Sequence, residues 1–175
     1  MRRALSHAAI ELATARGSVE TVSVEDIARA GQVSRRTFFN YFPTKADAIA
    51  WPHATFRRRL LAELTARPPN EPIWAALEAS AILALTDPAT DLTDLHRAGR
   101  LIGTPTVRAL ETQIATRTGT DPAADAYPQL TAATAGAGIH LAIARWARHG
   151  DAVQDHLAHA FALIRSGLPD PRGAR

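Results

Sequence analysis

Arg35 and Arg36 stand side by side, with Thr37 next to them, Asn40 and Tyr41 one helical turn later, and Lys45 close behind. An arginine can fork onto guanine O6 and N7, an asparagine onto adenine, and a threonine methyl can touch the methyl of thymine. An ammonium group beside the free amides of a helix start can grip a phosphate, which suits Thr44 and Lys45. This is the chemistry of reading duplex DNA. The competing reading is a surface helix with solvated arginines, and a lone Arg-Arg pair would favour it.

The elements around the pair decide between the two. Ser23 can cap a helix whose third residue, Asp26, completes a capping-box-like pair, and Val24, Ile27 and Ala28 give it an apolar face. Gly31 falls where that helix must stop, since glycine takes the left-handed conformation without a Cβ penalty. Val33 returns to the core, and Ser34 caps a second helix from Arg35 to Phe42. Pro43 ends it, and Thr44 can cap the next. Helix, glycine turn and second helix led by two arginines is the layout of a DNA-reading helix-turn-helix.

The segment Val24 to Ile49 resembles the DNA-binding signature of the TetR family of bacterial transcriptional regulators. Ile27, Ala28, Val33, Ser34, Thr37, Phe38, Tyr41, Phe42, Pro43, Thr44, Lys45 and Asp47 match it in order without a gap, and the likeness covers roughly residues 3–50. Two departures stand out. Gln32 occupies the place of the turn glycine and Gly31 that of an alanine, so either Gln32 becomes left-handed or the turn shifts to give Gly31 that role. Phe39 stands where the family more often has tyrosine, which removes one phosphate-bonding hydroxyl.

Composition fits a DNA-binding protein. The 175 residues include no cysteine, which excludes structural disulfides and thiolate metal sites. No run approaches a membrane span and no secretory leader is evident, so a soluble cytoplasmic protein is expected. Residues 1–60 hold ten Lys and Arg against five Asp and Glu, a net of +5, whereas residues 61–175 hold ten against twelve, a net of −2. Positive charge therefore gathers where a polyanion would bind. Nineteen of the twenty basic residues are arginines, a bias that weakens any argument from arginine abundance alone.

The remaining chain reads as helix throughout, about nine helices in an all-α fold. Arg3 to Arg16 carries a stripe of Leu5, Ala8, Ala9, Leu12 and Ala13 and stops at Gly17. Arg2 and Arg3 either touch phosphates or are simply solvated. From Lys45 to Ala66, Ile49, Phe56, Leu60 and Leu64 share a face with His53, and Pro52 predicts a kink or break. Arg57, Arg58 and Arg59 read as a solvated run. Further helices are predicted over 73–85, 91–102, from Thr104-Pro105 with Val107 to Gly119, from about Tyr127 to His149, and from a cap at Asp151 to Gly167 and Pro169.

The resemblance implies a helix-turn-helix domain at 1–46 and an effector-binding and dimerisation domain at 47–175. It further implies a homodimer on a pseudo-palindromic operator, contacting DNA through Ser34, Arg35, Arg36, Thr37, Asn40, Tyr41, Thr44 and Lys45. A small molecule, expected to be apolar, would release it. Trp74, Leu77, Leu110 and His140 are the candidates for its pocket. The family pairs its last two helices, which puts Ala137, Val153, Leu157, Phe161 and Ile164 at the dimer interface. The small-residue segment Thr131 to Gly138 either permits close helix packing or leaves room for a ligand.

No cofactor or metal is expected. His156 and His159 beside Asp155 lack a fixed third ligand and read as surface residues. Nucleophile-elbow, zinc-protease and Walker sequences are absent, and Gly136-Ala137-Gly138 lacks the third glycine of a dinucleotide fingerprint. An enzyme is not expected. The alternative to a regulator is a helical small-molecule sensor or protein-interaction module whose helix-turn-helix is only structural.

Overall fold

In a computed structural model the sequence patterns become nine helices among the described residues, 1–103 and 108–168, with no strand. They are α1 (Arg2–Arg16), α2 (Val24–Ala30), α3 (Arg35–Tyr41), α4 (Lys45–Ala66), α5 (Ile73–Thr86), α6 (Leu92–Ile102), α7 (Arg108–Thr118), α8 (Ala126–His149) and α9 (Val153–Arg165). The expected all-α class holds. The start signal at Thr104-Pro105, with Val107, and the stop at Pro169 lie outside the described residues. No helix among those described is long and apolar enough to cross a membrane.

Two compact units divide the chain, and the division differs from the expected boundary at residue 46. One unit joins residues 1–55 with α6; the other joins residues 56–90 with α7, α8 and α9. The front of α4 and α6 complete the core of the first unit. Leu5, Ile10, Ile27, Phe38, Ile49 and Ala98, from five different helices, are all fully buried there. Charged pairs fasten α1 along α6: Arg3 Nη2 lies 3.3 Å from Asp91, His7 Nδ1 lies 3.0 Å from Asp94, and Arg97 pairs with Glu11. Arg3, read from sequence as a phosphate contact or a solvated residue, thus has a carboxylate partner within its own chain. Burial raises the Asp94 carboxyl above its ordinary value.

The second unit is built from the rear of α4 with α5, α7, α8 and α9. Leu64, Leu77, Leu110, Ile114, Leu157 and Phe161 are at most 1% exposed. The predicted solvated run is partly wrong, because Arg59 is half-buried and pairs with Asp87 at 2.8 Å. Arg117 reaches across from α7 to the carbonyls of Leu64 and Arg67, both at 3.3 Å, and so satisfies the end of α4. Pro52 does not break α4, which runs from Lys45 to Ala66. Asp151 does not cap α9; the helix starts two residues later from Ala152, which offers no side-chain cap.

Candidate nucleic-acid interface

The reading head is assembled by local hydrogen bonds. Ser23 Oγ accepts from the Asp26 amide at 3.1 Å and the Asp26 carboxylate accepts from the Ser23 amide, closing the predicted capping box. Arg16 of α1 donates to the same carboxylate at 2.8 Å. That bond first, and those from Ser23 next, lower the Asp26 pKa to about 2. The α2–α3 turn is then fixed by the Val33 amide donating to the Ala28 carbonyl at 2.9 Å.

Of the two alternatives for this turn, Gln32 takes the left-handed conformation (φ 54°) while Gly31 sits at φ −81°. Glycine at 31 has another reason. A Cβ there would lie 2.5 Å from Leu5 Cδ2, so the missing side chain is what lets the turn close onto α1.

Ser34 caps α3 by accepting from the Thr37 amide at 3.0 Å, and the two hydroxyls are 2.9 Å apart. Phe38 is fully buried and anchors the helix to the core. What remains outside falls into two stripes at i, i+4 spacing. Arg36 and Asn40 form one, both exposed, and Arg36 has no ion pair or hydrogen bond with another described residue. Arg35 and Phe39 form the other. Arg35 Nη1 lies 2.8 Å from Glu25 of α2, and its guanidinium carbon lies 5.6 Å from the Phe39 ring centre.

The flanking candidates are more occupied than expected. Tyr41 is half-buried against the core, and its carbonyl accepts from Arg2 Nη2 at 3.0 Å. Arg2 therefore closes the end of α3. Thr44 and Asp47 cap α4 reciprocally, Thr44 Oγ1 accepting from the Asp47 amide at 3.1 Å. Lys45 donates from Nζ to the carbonyls of Val22 at 2.9 Å and Glu20 at 3.3 Å. In this arrangement the lone lysine ties the start of α4 to the loop before α2.

Residues 5–49, the span of this head, match the family model described as bacterial regulatory proteins, tetR family. Residues 104–169 match a second model, the MftR C-terminal domain. The chain belongs to the TetR family. A Mycobacterium tuberculosis (strain ATCC 25618 / H37Rv) protein, provisionally named mycofactocin biosynthesis transcriptional regulator MftR, is 51% identical over 47 residues, which are 27% of this chain and 23% of that protein. The match thus spans about a quarter of the relative. Thermus thermophilus FadR, a TetR family transcriptional repressor solved in complex with lauroyl-CoA, is 23% identical with a TM-score of 0.44, covering 97% of this chain and 96% of its own. TetR family proteins are DNA-binding transcriptional regulators, not enzymes.

In the second unit of this TetR family chain, the pocket and interface candidates fare differently. Leu77 and Leu110 are buried, and Trp74 is half-buried with its ring 6.0 Å from that of Phe161, edge to face. His140 is exposed on α8, not inside. Of the interface candidates, Val153, Leu157 and Phe161 are buried within this chain and present no surface to a partner. Ile164 is half-buried against Gly138, where an added Cβ would lie 3.0 Å from its Cδ1 and 3.3 Å from the Phe161 ring. The small-residue stretch thus serves close packing of α8 on α9 inside one chain. Only Ala137 remains outside.

The sequence reading missed the apolar residues that do face out, Leu130 and Leu141 on α8 and Leu163 on α9. Their signal was present. Leu130, Ala133, Ala137 and Leu141 recur at three- and four-residue steps, a second apolar stripe on a helix already given one. His156 is nearly buried rather than a surface group, with Nε2 3.9 Å from Asp151 and its ring 6.1 Å from that of His149. Among the described residues no cluster of three ligands could hold a metal ion.

Proposed function

We propose that this chain is a homodimeric repressor that binds a pseudo-palindromic operator and is released by a small, apolar effector. Residues of the first unit read DNA, and the second unit binds the effector and the partner copy. The observation that carries the reading is the exposed, unpaired Arg36–Asn40 stripe on a helix held rigid by Ser34, Phe38 and Arg2. Such a stripe suits bidentate contacts to guanine and adenine in a major groove. The partner copy would cover the outer stripe of Leu130, Ala137, Leu141 and Leu163 with His140, in place of the buried residues first considered. The protein would act in the cytoplasm. The name of its M. tuberculosis relative makes mycofactocin biosynthesis genes the first targets to examine.

Selection of bound sequences from a random duplex pool tests the proposal. Two inverted half-sites, their centres about 34–36 Å apart, are expected. Enrichment of no sequence at moderate salt would leave a sensor or interaction module with a merely structural helix-turn-helix.

A further inference from the structure

The second stripe of α3 carries more information than the first. Resting on the DNA-reading function proposed above, we infer that Arg35 and Phe39, positioned by Glu25, read a thymine beside a guanine, Phe39 through the thymine C5 methyl and Arg35 through guanine O6 and N7. Phe39 is 44% exposed on the face of a helix whose other outward side chains are polar. Its ring meets the buried Phe38 ring edge-on at 5.5 Å and 82°, so the core sets its position. A phenyl ring offers no hydrogen bond, and the one apolar group that an unmodified base pair presents in the major groove is the thymine methyl.

Arg35 lies over the same ring and is therefore adjacent to whatever the ring touches. Its five N–H donors exceed what one carboxylate uses, and the side chain is 65% exposed. Donors remain for a guanine edge. Glu25 is the positioning residue. Its carboxylate at 2.8 Å holds the guanidinium against the ring and opposes its drift to a phosphate, because the two anions compete for one cation. The two neighbouring arginines are thereby unequal: Arg36 is free, and Arg35 is aimed.

The test uses the full chain and its selected operator. Each thymine is replaced in turn by deoxyuridine, which removes only the methyl, and affinity is measured by fluorescence anisotropy. One thymine per half-site, next to a guanine, is expected to lose about fourfold on losing its methyl, the worth of one buried methyl group. In Phe39→Ala the same replacement is expected to change affinity by less than about 1.5-fold. Glu25→Gln, an exposed and isosteric change, is expected to raise affinity for random duplex more than for operator, so that discrimination falls; undiminished discrimination would remove Glu25 from the assignment. An operator indifferent to every methyl in the wild-type protein overturns the assignment, as does a methyl effect that survives in Phe39→Ala. Either failure leaves DNA binding itself intact. Failure of the wild-type protein to select any sequence would instead remove the reading on which the assignment rests.

Discussion

The α2–α3 head and the α8–α9 pair both combine a buried face with an exposed one, yet they mark those faces in opposite ways. In the head, polarity separates them: Ile27 and Phe38 are buried, while Arg36 and Asn40 are exposed. In α8 and α9 both faces carry large apolar residues, with Leu157 and Phe161 inside and Leu130, Leu141 and Leu163 outside. Charge labels a surface, whereas two apolar stripes on one helix do not say which faces a neighbour in the same chain and which faces a second copy. The difference can be broken by putting charge on each stripe.

Leu157→Glu is expected to cost more than about 4 kcal/mol, because it buries an unpaired carboxylate in a full core. Leu141→Glu is expected to leave folding within about 0.5 kcal/mol, since that side chain is already 44% exposed. Under the proposed dimer it would nevertheless yield monomers. Urea denaturation and sedimentation of both variants separate the two faces; a Leu157→Glu protein that folds normally but has become monomeric would reverse their assignment.

The glycines of α8 sharpen the same contrast. Gly138→Ala is expected to destabilise by about 1–3 kcal/mol, because the new methyl meets Ile164 and the Phe161 ring within 3.3 Å. Gly136→Ala meets nothing within 4 Å and is expected to stabilise by up to about 1 kcal/mol through helix propensity. Equal midpoints in thermal melts of the two would contradict the packing described for α9 on α8.

Smaller effects belong to the head. Gln32→Gly is expected to stabilise by about 0.5–1 kcal/mol, relieving a side chain from a left-handed turn at the entropic cost of a glycine. An unaltered denaturation midpoint would show that Gln32 carries no strain. Asp26 sets a pH dependence of known sign. Its folded pKa is depressed to about 2, so its contribution is complete above the ordinary carboxylate value and is lost as pH falls toward 2. Asp26→Asn is expected to flatten the acid limb of the stability curve in that window; an unchanged limb would place the acid sensitivity elsewhere.

What could be read from the sequence follows the range of the interactions. Ser23 with Asp26, Ser34 with Thr37, and Thr44 with Asp47 act over three residues, so capping chemistry announced α2, α3 and α4 directly. The Arg36–Asn40 stripe followed from helical spacing. Long-range ties left no such mark. Nothing local says that Lys45 meets the Val22 carbonyl, that Glu25 meets Arg35, or that α6 joins α1 through Arg3, His7 and Glu11. Gly31 shows how a correct residue can be chosen for the wrong reason. Its place in the turn was visible, but the constraint is Leu5, twenty-six positions away, rather than its own backbone angle.

The central claim is that the unpaired arginine of α3 reads a base. Its most direct test is the affinity of wild-type and Arg36→Ala proteins for the selected operator and for a scrambled duplex, at matched salt. The account predicts a loss of about 1–3 kcal/mol on the operator, little change on the scrambled duplex, and relaxed preference at a single position in each half-site. Equal losses on both duplexes would make Arg36 a phosphate contact and contradict the claim.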